Sequence, residues 1–382
     1  MIYMDNAATS FPKAPGVSAA MVRYTEEVGA SINRGVYGSA QEAGMEALLL
    51  RERAGQLLGR GDPTHCVVTP GDTWGLNMVL LGALGPGDHC LVSAVEHNAV
   101  MRPLSALHAQ GVTFDRIPCD AAGRLETGAM ETLFRPSTRL VVLAHGSNVS
   151  GTVQDVETAA EICRRHGVPL VLDAAQTAGH FPIDFDGLGL SALAAPGHKG
   201  LLGPSGTGLL LLSEEFAASL RPVITGGTGS ASDEEAQPPY MPDKFEPGTP
   251  NLPGIYGLSA ALGYLLSRGG AIRRREEELI RQFLDGLRGV RNIRLAGPWE
   301  AERRAAVFSL DFQNMDNAEA AFRLEQDYGI LTRCGLHCAP AAHKTLGTFP
   351  QGTVRFSPGP FTTDREVQDT LAAIRALAEQ QV

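Results

Sequence analysis

Leu193-Ala194-Ala195-Pro196-Gly197-His198-Lys199-Gly200-Leu201-Leu202-Gly203-Pro204 decides how this chain is read. An apolar run closes in small residues, a lone lysine sits among glycines, and a second apolar strand, Thr207 to Leu212, follows at once. The glycines leave room for something bulky to lie close to the backbone. Alone, Gly-His-Lys-Gly also suits a solvated hairpin lysine. Asp173 changes the balance, because it ends the apolar run Val168-Pro169-Leu170-Val171-Leu172. A carboxylate closing a buried strand stands where an open α/β sheet presents its chemistry.

An acid and a Schiff-base lysine on successive strand ends suit pyridoxal 5'-phosphate (PLP). The lysine holds the aldehyde, and the aspartate keeps the pyridine nitrogen protonated. Outward from this pair, strands alternate with helical stretches. Cys66-Val67-Val68 reads as a strand, Thr69-Pro70-Gly71-Asp72-Thr73 as a turn, and Trp74 to Leu84 as a helix. Its first N–H groups and the Thr73 hydroxyl form a phosphate cradle, or Asp72 and Thr73 are plain N-caps; this segment leaves both open. Cys90–Ser93 is a strand leading to His97, placed either to lie flat on a cofactor ring or to cap the helix running to His108. Val112–Ile117 is a strand, and Glu126–Phe134 a helix. Leu140–Ala144 is a buried strand leading to Asn148, whose amide can meet a ring oxygen or a carboxylate, or close an Asx turn. The helix Asp155–His166 returns the chain to the Asp173 strand, with Gln176 just beyond. Such alternation indicates a mostly parallel, doubly wound sheet. No G-x-G-x-x-G fingerprint supports a nucleotide site instead.

The flanks are less regular. Tyr3 to Thr9 reads as a short polar start, then a helix over Gly16–Glu27, Asn33-Arg34-Gly35, and a helix over Ala40–Leu58. After Ser213 a Gly/Pro-rich stretch, 225–253, carries Phe245-Glu246-Pro247-Gly248-Thr249-Pro250-Asn251 and reads as a functional or interface loop. A helical region from Ile255 to about Leu287 is expected to break near Gly269-Gly270. The tail reads α+β: strand Ala306–Phe312, helix Ala318–Asp327, strands Ile330–Arg333 and Val354–Ser357, and helix Asp364–Gln380. Within it lies Arg333-Cys334-Gly335-Leu336-His337-Cys338-Ala339-Pro340, where Cys338 sits in a small-residue loop beside a histidine; a thiol there is useful once nearby cations favour the thiolate. Arg355, inside an apolar strand, needs a partner: a substrate α-carboxylate or a protein Asp or Glu.

The 382 residues, 43% hydrophobic, suffice for a full core and two domains. A net charge of −10 disfavours nucleic acid or an anionic membrane as a partner. No apolar run approaches the roughly 20 residues of a membrane span, and the start lacks a signal-like core. The six cysteines form no CxxC pair or zinc-like cluster, so no metal is expected and the thiols read as reduced, in a cytoplasmic setting.

Together these motifs resemble the class V aminotransferase family, and within it the cysteine desulfurases and selenocysteine lyases. The resemblance spans nearly the whole chain. It implies the PLP fold type I, with a large PLP-binding α/β domain over 15–254, a small α+β domain over 255–382, and residues 1–14 packing near the active site. It implies that Lys199 binds the PLP aldehyde, Asp173 the pyridinium, Gln176 the ring hydroxyl, and that His97 stacks on the ring. Asp72, Thr73 and His198 would lie at the phosphate, with Thr249 reaching across a homodimer interface. Asn148 and Arg355 would hold the amino-acid carboxylate, with Asn33, Ala7 and Ala8 nearby. Gly-Leu-His-Cys-Ala resembles the SUF-like, short-loop type, which makes Cys338 the sulfur acceptor: L-cysteine would become L-alanine, leaving a persulfide on Cys338 for a thiol or sulfur-acceptor protein. Selenocysteine lyase or another PLP β-lyase is the alternative on this scaffold, and a non-catalytic sulfur carrier a third reading. The chain departs from the family pattern at Pro196, where many relatives have serine, and at Asp72-Thr73-Trp74, which replaces a small-Thr-acid run. Cys334 lies outside the motif, as a packing residue or a resolving thiol.

Overall fold

The computed structural model describes residues 1–32 and 35–380; Asn33, expected near the substrate, lies outside them. In chain order the strands are β1 (Ile2–Tyr3), β2 (Cys66–Thr69), β3 (His89–Ser93), β4 (Thr113–Ile117), β5 (Thr138–Ala144), β6 (Leu170–Asp173), β7 (Ala192–Pro196), β8 (Gly208–Leu212), β9 (Ile293–Ala296), β10 (Phe308–Phe312), β11 (Ile330–Leu331), β12 (Arg333–Gly335) and β13 (Thr353–Phe356).

A seven-stranded sheet has the order β2-β8-β7-β6-β5-β3-β4. β3 to β7 run parallel, and β8 runs antiparallel to both its neighbours. This is the mostly parallel, doubly wound sheet expected. Its strands are continuous apolar runs because both faces are covered. Leu209 and Leu211 enter the core on one face, Leu210 and Leu212 the core on the other. The same two-residue alternation sends Val141 and Leu143 one way and Leu140 and Val142 the other. A second sheet, antiparallel with order β12-β13-β10-β9, packs around Phe283, Phe308 and Phe356.

The helix Leu252–Leu287 joins the two cores. It runs unbroken for 36 residues, about 54 Å at 1.5 Å per residue. The expected break at Gly269-Gly270 is therefore corrected. Leu258, Leu262 and Leu265 anchor it to the first core, and Leu279, Phe283 and Leu287 to the second. Burial on both sides offsets the roughly 1 kcal/mol that each glycine costs in mid-helix.

Other boundaries shift for local reasons. The helix expected over Gly16–Glu27 is α-helical over Val17–Arg23 and closes as a wider turn over Tyr24–Val28. Glu126–Phe134 holds only a short α-turn, Thr127–Met130, followed by a 3₁₀ turn. Ile330–Arg333 is two strands in different sheets: β11 pairs parallel with β1, and β12 antiparallel with β13. The loop bearing Thr249 is tied to the sheet edge by Glu246, whose carboxylate takes two bonds from buried Arg51 and one from the Val68 N–H.

A methyl group at Gly269 meets no heavy atom within 4 Å. Gly269→Ala should raise unfolding stability by about 1 kcal/mol, seen as a higher urea midpoint at unchanged slope. An unchanged or lower midpoint would show that the helix is interrupted there in solution.

Candidate active site

Four neighbouring strands deliver the predicted chemistry to one edge of the large sheet. β3 leads into His97, β5 into Asn148, β6 ends on Asp173, and β7 leads into Lys199. The strand order reverses between β3 and β5, so their carboxyl ends open a crevice. Asp173 pairs in register with Ala144 and Ala194, whose methyl groups leave space above the carboxylate. A cavity of about 300 Å³ fills that space, and its wall brings together Lys199, Asp173, His97, Gln176, Asn148, Asp72, Thr73 and His198.

Burial sets the charge states. It pushes the Lys199 amine down, and Asp72 and Asp173 pull against that. It pushes the Asp173 carboxyl up against the hydrogen bond from the Ala175 N–H (2.9 Å) and the nearby amine. Burial, then the Asp173 charge, holds the Asp72 carboxyl well above the usual carboxylate range, and its Oδ1 has no partner. Asp72 therefore faces the cavity in a form that leans towards neutral and can donate a hydrogen bond.

The cap question left open by the sequence is resolved at the helix Asp72–Ala83. Gly71 is the N-cap and no side chain caps the helix, so its first amides remain suited to an anion. His97 is itself the N-cap of the helix Asn98–His108: its Nδ1 accepts the Ala99 N–H at 3.0 Å, which fixes the ring's orientation. Burial and the neighbouring Lys199 lower its pKa to about 4, so the imidazole is neutral. The His198 ring is lowered to about 4 by burial and by Lys199 and Lys13, with Nδ1 unpartnered. It can hydrogen-bond to a phosphate but adds no positive charge.

PLP fits this residue set. The cavity lies at the lower end of the ~300–1,000 Å³ typical of cofactor sites. An uncapped helix start suits a phosphate, and the buried Asp173 carboxyl suits a ring nitrogen that shares its proton. The role of the motif glycines is corrected. A side chain at Gly200 would strike the His180 ring and the Ala178 carbonyl, and one at Gly197 would strike Thr207. These glycines make room for the protein's own groups.

Several expected residues lie around the cavity and outside its wall. Ala7 accepts the Gln176 Nε2–H on its carbonyl (3.1 Å), and the Ala8 N–H bonds back to Asp5. Thr249 borders an adjoining cavity of about 380 Å³ shared with Arg51 and Trp74. Arg355 is fully buried and has a protein partner, Asp5 (2.7 Å), while its Nη1 donates to the Asn148 carbonyl and its Nε has no partner. Cys338 is exposed. Its loop is fixed by the Asn98 N–H on the Cys338 carbonyl (2.8 Å) and by Asn148 Nδ2–H on the His337 carbonyl (2.7 Å). His337 and Cys338 both adopt positive φ, 48° and 59°, a strained conformation for residues with side chains.

Sequence reasoning missed Arg333, whose Nη2 lies 3.4 Å from the Cys338 sulfur. Its signal was strand pairing: Arg333 stands directly opposite Arg355, so the two share a face. The same alternation puts Cys334 opposite Val354, on the other face from Arg333, and burial pushes its thiol up. Asp5 and Glu96 were also missed. Glu96 is fully buried, its Oε1 accepting from Ser93 and from the Ala144 N–H (2.8 Å); burial, with a smaller push from Asp173, raises it to about 8.

The family described as Aminotransferase class-V matches residues 2–370. A probable cysteine desulfurase of Methanothermobacter thermautotrophicus is 32% identical, over 96% of this chain and 92% of its own length. The cysteine desulfurase CsdA of Escherichia coli is 31% identical, over 98% and 94%. Among solved structures, an apo cysteine desulfurase from Thermococcus onnurineus superimposes with a TM-score of 0.92 at 32% identity, over 99% of this chain and 94% of that one.

Asp72 supplies a pH test. Burial and the Asp173 charge raise its pKa and favour the protonated carboxyl; as pH rises through that value it ionises, and a carboxylate at the helix start repels a phosphate. PLP binding, followed by absorbance across pH, should weaken at high pH in the wild-type chain and weaken less in Asp72→Asn. Identical profiles would show that Asp72 carries no proton in the site.

Proposed function

This chain belongs to the class-V aminotransferase family, and on that footing we propose that it is a PLP-dependent enzyme that takes sulfur from L-cysteine, releasing L-alanine. When bound, PLP supplies an aldehyde for the substrate amine and a protonated ring that accepts the electron pair left at Cα. Lys199 would hold the aldehyde and, once freed, move the Cα proton, a role suited to an amine that burial pushes towards its neutral form. Asp173 would face the ring nitrogen, Gln176 the ring hydroxyl, and His97 the ring face. The first turn of the helix Asp72–Ala83, with Thr73 and His198, would hold the phosphate.

Cys338 then acts as the nucleophile. Its sulfur attacks the substrate sulfur, an S–S bond forms as the C–S bond breaks, and the electron pair stays with carbon, which takes up a proton. A persulfide remains on Cys338 for a thiol acceptor. The observation that carries this reading is that the Cys338 loop is bonded to Asn98, next to His97, and to Asn148, in the cavity wall. Arg333 stands beside the sulfur, its Nη2 within reach of it as a donor. Asn148 and Arg355 would meet the substrate carboxylate, Arg355 while keeping Asp5.

The reading extends to a division at 254/255 between a PLP-binding unit and a smaller one, with 1–14 packed near the site. It includes a homodimer in which Thr249 approaches the second copy's phosphate, and a reducing, cytoplasmic setting that suits six free cysteines. Among the described residues no helix is long and apolar enough to cross a membrane.

Anaerobic alanine release from L-cysteine at matched PLP occupancy tests the reading. Wild type should release alanine, Cys338→Ala should lose that release, and Lys199→Ala should lose it by about 10²-fold or more. Equal release from wild type and Cys338→Ala would overturn the nucleophile and turn the assignment towards a selenocysteine lyase or another β-lyase.

A further inference from the structure

Lys199 also borders a smaller cavity of about 40 Å³, whose wall includes Ser10, Gln176, His180 and Glu276. That space and those polar groups suit one or two waters. The Nδ1 of His180 touches the carboxylate of Glu276, which projects from the long helix; the two side chains are 17% and 10% exposed. Beyond this pair lies a third cavity, about 230 Å³, which His180 and Glu276 border from their other side. Its wall includes the exposed residues Arg281, Glu302 and Arg303, so it opens to solvent. Gly200, the residue after Lys199, is bare where the His180 ring lies against it.

In the proposed reaction Lys199 takes a proton from Cα and the carbon that loses sulfur gains one, and a relay would let the amine exchange its proton with solvent between the two transfers. The main cavity is where substrate and PLP would lie, and the small one borders Lys199 separately. We propose that His180 and Glu276 form a proton relay linking Lys199 to solvent through the small cavity, an inference that rests on Lys199 being the proton-moving amine. In the outward direction the Lys199 Nζ–H bond breaks as the proton passes to a cavity water. That water gives a proton to His180 Nε2, and His180 releases its Nδ1 proton to Glu276, from which the outer cavity takes it. Each bond broken or formed is N–H or O–H, and no electron changes hands.

The electrostatics agree with this path. Burial pulls the His180 pKa down, but the charge of the Glu276 carboxylate in contact with it more than reverses this, leaving it above 6.5. Other charged groups around the ring are Lys199 across the small cavity and Arg273, whose Nη1 approaches the His180 carbonyl at 3.5 Å; Glu277, Arg281, Glu302, Arg303 and Arg304 line the outer one.

The test is exchange of the Cα proton of L-alanine with D₂O in the PLP-loaded protein, which needs Lys199 but not Cys338. His180→Gln and Glu276→Gln should slow exchange by at least about 10-fold, the low side of what a positioned acid–base group contributes, at unchanged KM. Imidazole should restore exchange in His180→Ala. A low-field imidazole N–H proton resonance, with or without PLP, should vanish in Glu276→Gln. Unchanged exchange, slowed exchange that imidazole does not restore, a resonance that persists in Glu276→Gln, or loss of PLP from both Gln variants would overturn the relay and leave the pair structural. No exchange by the wild type would instead overturn the role given to Lys199, and the relay with it.

Discussion

Lys199 is an amine enclosed with two carboxyl groups at the edge of a parallel sheet, and the site is organised around the cost of keeping it there. Unpaired charges are expensive away from water, so each group shifts towards its neutral form. The amine is pushed down, and Asp72 and Asp173 are pushed up. A cofactor with a basic ring nitrogen and an anionic phosphate answers both carboxyl groups. The cavity wall carries alanines at 144 and 175, which keep open the space such a ring needs.

The second constraint is registration between the two sheets. β1 pairs with β11, Asp5 with Arg355, the Gln176 amide with Ala7, and the Cys338 loop with Asn98 and Asn148. Each contact joins segments far apart in sequence, and together they fix the Cys338 loop against the cavity wall. Two consecutive positive-φ residues at 337 and 338 cost on the order of 1–3 kcal/mol each, and these bonds hold them in place.

Much of the large sheet was legible because its strands are apolar on both faces and end in residues that packing alone does not explain. Asp173, His97, Asn148 and Lys199 stood out as polar groups closing apolar runs, and all four reach one cavity. Residues that act through a partner were less visible. Arg333 read as the last residue of the strand Ile330–Arg333 until its register with Arg355 appeared. Asp5 read only as part of a short polar start until the arginine it neutralises was located. Glu96 drew no reading from the sequence, although its carboxyl joins the ends of β3 and β5.

The sequence by itself determined the alternation of strands and helices, the class of sheet and the strand ends that carry chemistry. These depend on local periodicity and on the rule that parallel strands open their carboxyl ends to ligands. Only the tertiary structure decided that the helix through Gly269-Gly270 stays whole, because two separate cores pin its halves. It alone decided that the motif glycines admit His180 and Thr207, that Arg355 is paired with Asp5, and that Cys334 turns away from Cys338. Each of these depends on which distant residue arrives opposite. Periodicity specifies the face a residue takes, and packing specifies what it meets there.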